Sequence, residues 1–166
     1  SDENLIAVEM HSDVPIIGYW SSSSDLLNKI WKATNSSYLA NLFGYPTDCP
    51  QREKNGWTGD AHIAIETGLY NFDGISIYEK WMNDFCDEQK DNGVLPCIIP
   101  TSVWGYDWAN GVDWTSAVAI IPWEIYRFYG DTTLLRRMYG PIKKYVSYIE
   151  SISTNHLTDW GLGDWV

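Results

Sequence analysis

The chain has 166 residues, enough for one domain, and its 45% hydrophobic content supports a sizeable core. With 11 Lys and Arg against 22 Asp and Glu, the formal net charge is -11, a field that repels phosphate backbones, and no basic stripe overrides it. No apolar run reaches the roughly 18 to 20 residues of a membrane span, so neither nucleic acid nor membrane is an expected partner.

The first residues, Ser1-Asp-Glu-Asn-Leu5, lack the basic and apolar regions of a signal peptide, and the compartment stays open. Ala7 to Ile17 reads as extended, with Pro15 against helix; residues 1–20 are read as a linker or strand arriving from an upstream domain. Ser21 to Ser24 offer N-caps to a helix over about 24–42, with Leu26, Leu27, Ile30, Trp31 and Tyr38 as its apolar stripe. Residues 43 to 59 form a long loop rich in Gly and Pro. A helix follows from about Asp60 to Asn71, and Gly74 opens another carrying Ile77, Tyr78, Trp81, Met82 and Phe85. Asp87 to Val112 is loop again, punctuated by Gly93, Pro96, Pro100, Gly105 and Gly111. Asp113 is expected to cap one helix running to about Tyr129, kinked by Pro122 or holding it in its first turns, and ended by Gly130. A last helix starts at Asp131-Thr-Thr, with a break expected at Pro141. Residues 155–166 are a loop of Trp, Gly and Asp.

Long and short connections alternate, which predicts helical hairpins with elaborate loops gathered at one end. The predicted fold class is all-α, part of an (α/α)6 six-hairpin toroid preceded by a short extended segment. Twelve helices of roughly 10 to 14 residues plus loops exceed about 300 residues. The chain supplies about five, so residues 21–166 are read as the N-terminal portion of an incomplete barrel. Cys49, Cys86 and Cys97 show no paired metal spacing and are read as small buried hydrophobes. Aromatic residues make up 15%, with ten Trp and eleven Tyr. Many sit in loops beside carboxylates, as in Trp104-Gly-Tyr-Asp-Trp108, a mixture suited to sugars: C–H faces stack on indoles and hydroxyls bond to acid oxygens.

The densest chemistry lies in Thr47-Asp-Cys-Pro-Gln-Arg-Glu-Lys-Asn-Gly-Trp-Thr-Gly-Asp60, where three carboxylates, an arginine and a tryptophan fall between two helices. This segment resembles the signature of the bacterial α-L-rhamnosidases of glycoside hydrolase family 78, D-C-P-Q-R-D-E-R-L-G-W-T-G-D. Asp48-Cys-Pro-Gln-Arg52 and Gly56-Trp-Thr-Gly-Asp60 match in place, with one residue fewer between them. Counting back from Gly56 puts Glu53 on the family's acidic residue. Ser23-Ser-Asp-Leu-Leu-Asn28, Pro122-Trp-Glu-Ile-Tyr126, Tyr129-Gly-Asp-Thr-Thr-Leu-Leu135 and Gly163-Asp-Trp165 resemble further family segments. Where the family carries Gly-Asp after the tryptophan matching Trp114, this chain has Thr115-Ser116, so that wall of the pocket is expected to differ.

The resemblance implies hydrolysis of terminal α-linked rhamnose with inversion, a reaction needing an acid and a base on opposite faces of the sugar. Glu53 is the implied acid, its pKa expected to be raised by Asp48 and Asp60; an ion pair with Arg52 or Lys54 is the structural alternative. Asp48, Arg52 and Asp60 are implied hydroxyl binders, or a mutual salt-bridge network holding the loop. Trp57 is expected to face the sugar, where rhamnose presents its 6-methyl group. Trp114 and Trp165 are further walls or core, and Asp164 is a ligand or a cap. His62, Glu66 and Glu88 are read as helix-face or paired residues, and the Asn35-Ser-Ser sequon is discounted because it falls inside a helix. The catalytic base is implied to lie beyond Val166. The expected partners are a rhamnose-containing glycoside, the remaining half of the barrel and accessory β-domains of a parent chain. No cofactor and no metal is expected. A toroid glycosidase for another terminal sugar, and a non-catalytic carbohydrate-binding module, are the competing functions.

Overall fold

The computed structural model describes residues 5–163. Its helices are α1 (Asp25–Ala40), α2 (Thr58–Asn71), α3 (Ile75–Glu88), α4 (Val112–Thr115), α5 (Ala117–Tyr129) and α6 (Thr133–Ile152). Helix α1 starts where the serine run places it. Ser24 Oγ accepts the Leu27 N–H, while Ser22 and Asn28 exchange two hydrogen bonds of 2.8 and 2.9 Å just upstream. The segment before it is extended and docked. Ile17 and Gly18 donate backbone N–H groups to Asn71 O, Asp73 donates to Pro15 O, and Val14 is buried beside Tyr38, Leu42 and Phe72.

Helix α2 is the central element, packed against α1, α4 and α5, while α5 and α6 pack most extensively of all. One large cluster joins Ile65 and Leu69 of α2, Tyr78, Trp81, Met82 and Phe85 of α3, Ile121 and Ile125 of α5, and Leu134, Met138 and Tyr145 of α6. Helix α1 joins α2 through a smaller apolar contact and polar hooks. The Tyr38 ring stacks on Phe72 and its hydroxyl meets Tyr78 at 2.7 Å, while Trp31 Nε1 donates to Asn71 Oδ1 at 3.0 Å. Arg127 bridges helices, donating to Glu66 of α2 and Glu124 of α5 at 2.8 Å each, which is the pairing expected for Glu66.

Two expectations are corrected. The helix expected from Asp113 to Tyr129 is two helices, because the chain turns at Ser116, and Gly111 rather than Asp113 precedes the first. Thr115 fixes this turn from inside: its buried hydroxyl donates to Gly111 O at 2.9 Å and meets Tyr145 Oη at 2.8 Å. Helix α6 runs through Pro141 without ending. Proline keeps helical φ and costs one hydrogen bond, and the buried row Leu134, Met138 and Tyr145 holds both halves on one face. Pro122 likewise lies inside α5, which continues to Gly130.

The two long loops meet at one end, as the alternation of connections predicts. Trp57 and Ile98 form an isolated antiparallel bridge, with Thr58 N–H donating to Cys97 O and Ile99 N–H to Gly56 O, both at 2.9 Å. Trp81 Nε1 caps the junction by donating to Ile99 O at 2.8 Å.

Candidate active site at the loop end

Asp48 sets the local fold of the charged loop. Its Oδ1 accepts the Asn55 N–H at 3.0 Å, its own N–H donates to Asn55 O, and its Oδ2 accepts the Cys49 thiol at 3.0 Å. The Cys49 sulfur accepts the Glu53 N–H at 3.2 Å. The chain is thereby folded back on itself, with Lys54 in the left-handed region at φ 55°. Cys49 is thus a polar strut, not the small buried hydrophobe expected, and only Cys97 is buried outright, its thiol pushed up to about 12 by burial.

This fold delivers Glu53 to the indole at the start of α2. Trp57 Nε1 donates to Glu53 Oε2 at 3.0 Å. Asp48, Glu53, Trp57, Asp60, Trp108, Trp114 and Leu162 together line a cleft of about 170 Å³. Trp57 stands at the centre of the aromatic wall, 5.3 Å from Trp114 and 6.4 Å from Trp108 between ring centroids. Gly59 permits this: any Cβ there would collide with the Trp114 ring. Burial pushes the Asp60 carboxyl above its usual range, and the negative charges of Asp48 and Glu53 add to that; its own backbone N–H and His62 oppose. His62 itself is a strut, its Nε2–H donating to Asp113 O at 2.9 Å.

Arg52 is not part of the lining. Its side chain is 79% exposed and lies 3.7 Å from Glu53, whose own side chain is 41% exposed. An open pair at that distance contributes little. The alternative reading of Asp48, Arg52 and Asp60 as a mutual salt-bridge network does not hold: Asp48 is satisfied by backbone and thiol, and Arg52 lies beside Glu53. Thr115 faces the core rather than the cleft, bonded to the turn that separates α4 from α5. One donor atom each of Asp48, Cys49 and Glu53 lies within 4.8 Å of the others, the one such grouping among the described residues. The hydrogen bonds just given already occupy the thiol and both Asp48 oxygens.

The sequence profile of the bacterial alpha-L-rhamnosidase 6 hairpin glycosidase domain matches residues 15–166. The chain belongs to this family. A rhamnosidase from Alteromonas sp. (strain LOR) is 32% identical over 164 residues, covering 98% of this chain and 18% of that protein. The structure of α-L-rhamnosidase from Dictyoglumus thermophilum superposes with a TM-score of 0.87 at 37% identity, covering 93% of this chain and 18% of the other. The Streptomyces avermitilis α-L-rhamnosidase, solved in complex with L-rhamnose, gives the same TM-score at 28% identity, covering 93% and 15%. The chain thus spans less than a fifth of the length of these relatives. Its all-α, six-hairpin fold class is the one the loop alternation predicts.

Of the candidate site residues, Glu53, Asp48, Trp57, Asp60 and Trp114 converge on one cleft. Asp164 and Trp165 lie outside the described residues. Trp108 and Leu162 belong to the lining but were not placed there by sequence. The signal for Trp108 was the Trp-Gly-Tyr-Asp-Trp loop; nothing in the sequence marks Leu162.

Proposed function

We propose that the protein carrying this chain is an inverting glycosidase that releases terminal α-L-rhamnosyl residues, with Glu53 as the general acid. Residues 21–166 would then be the N-terminal portion of an (α/α)6 barrel that residues 1–20 join to an upstream domain. The observation that carries the reading is the Glu53 carboxyl, oriented by the Trp57 indole N–H at 3.0 Å within a cleft shared by Asp48, Asp60 and Trp114. Family membership supplies the reaction class.

In this mechanism the carboxyl at 53 protonates the glycosidic oxygen as the bond to the anomeric carbon breaks. A carboxylate from outside residues 1–166 takes a proton from the attacking water on the opposite face. Asp60 accepts hydrogen bonds from neighbouring hydroxyls, and Asp48, fixed by the loop, offers its remaining lone pairs. Trp57 and Trp114 present apolar faces to the C–H bonds and the 6-methyl group of the sugar. Arg52, outside the lining, accompanies Glu53 at the cleft mouth.

Incubating the full-length protein with an aryl α-L-rhamnoside, and following the released sugar by proton NMR, tests this. The β-anomer of rhamnose is expected to appear first and then mutarotate. Release of the α-anomer first, or no release from any α-L-rhamnoside, contradicts the proposal.

A further inference from the structure

The aromatic surface extends past the residues used above. Trp104 and Trp108 lie parallel, with centroids 5.6 Å apart and 7° between their planes, and both stand edge-on to Trp57. They are 39% and 49% exposed; Trp108 lines the cleft and Trp104 stacks against it from outside the lining, whereas Trp114 lies over Gly59 on the other side of Trp57. With the terminal sugar on Trp57 and Trp114, as proposed above, the part of the aromatic wall beyond Trp57, Trp108 backed by Trp104, is left for the leaving group.

The loop bearing these rings is pinned from below. Glu88, at the end of α3, accepts the Thr101 N–H on Oε1 at 2.9 Å and the Tyr106 hydroxyl on Oε2 at 2.9 Å. The Thr101 hydroxyl donates to Trp104 O at 2.7 Å, and the Lys90 ammonium sits 3.8 Å over the Tyr106 ring. Ordering a loop costs conformational entropy, and here that cost holds two indoles edge-on to Trp57, the ring hydrogen-bonded to the acid. Large rings held rigid beside a cleft suit it to flat apolar groups.

We propose that Trp108, backed by Trp104 and positioned by Glu88, forms the subsite for the leaving group, and that this subsite selects groups with a flat apolar face. The inference rests on the rhamnosidase reading and adds the chemistry of the leaving group to it. An aromatic ring and the C–H face of a second pyranose share that chemistry.

The test measures kcat/KM of the full-length protein on three α-L-rhamnosides, whose leaving groups are methanol, a polycyclic phenol and a second pyranose. Trp108→Ala should lose about tenfold more on at least one flat leaving group than on methanol, chiefly through KM. The phenol and pyranose arms show which source the subsite takes. Glu88→Ala should reproduce this selective loss more weakly, and Glu88→Gln should keep most of the wild-type preference, since an amide oxygen still accepts the Thr101 N–H. Trp108→Phe, which keeps a ring, should retain most of the preference. Equal losses on all three substrates in Trp108→Ala and Trp108→Phe overturn the subsite. A wild-type protein that cleaves no α-L-rhamnoside overturns the rhamnosidase reading first, and the subsite falls with it.

Discussion

At Asp60 the carboxyl lies in the first turn of α2, lining the cleft with Asp48 and Glu53. The helix N-terminus welcomes its charge, yet burial and its two acidic neighbours win and hold it above the ordinary range. The folded state therefore binds this proton more tightly than the unfolded chain does. The associated stability is complete below the unfolded carboxylate value, about 4, and is lost as pH rises through the folded value. Asp60→Asn removes that loss. Its melting temperature should exceed the parent's at pH 7, with the gap closing as pH falls towards 4, while activity declines because a hydroxyl acceptor is gone. A lower melting temperature at pH 7 would show that the Asp60 charge stabilises the fold. By its density of charge alone the run from Asp48 to Asp60 reads equally well as a solvated surface loop; Glu53, Trp57 and Asp60 were legible through its resemblance to the family signature. Trp108 was legible only as one ring of an aromatic loop and Leu162 not at all, because their place in the cleft depends on how two distant loops close on the motif.

Among the elements, α1 is held by contacts with little sequence signature. The Tyr38 ring lies directly over Gly68 of α2, so a methyl group there collides with the ring and its hydroxyl, which pairs with Tyr78. Gly68→Ala should destabilise the protein by about 1–3 kcal/mol through overpacking, measured by urea denaturation; a change under about 0.5 kcal/mol would mean that α1 floats free of α2. Helix existence was readable from apolar spacing because the core uses one face of each helix, as in Tyr78, Trp81, Met82 and Phe85. Helix ends were less so. The break at Ser116 arises from a long-range bond between Thr115 and Tyr145, and the passage through Pro141 from packing on α5, neither of which a local pattern encodes.

Across the whole molecule, apolar side chains stay exposed on several helices: Leu26 and Ile30 of α1, Ile63 and Tyr70 of α2, Trp123 of α5. A closed ring of hairpins would cover such faces, and the proposed barrel accounts for them. Expressed alone, these 166 residues should melt at low temperature, bind a hydrophobic dye and turn over no rhamnoside. A sharp, dye-silent thermal transition would show that the chain needs no further hairpins. The central claim concerns a single carboxyl, and Glu53→Gln in the full-length protein tests it most directly. Turnover of a rhamnoside with a poor leaving group should fall by about 10² to 10⁴, while L-rhamnose still binds, because the amide keeps the shape of the cleft but has no acidic proton. Turnover within a few-fold of wild type would contradict the account.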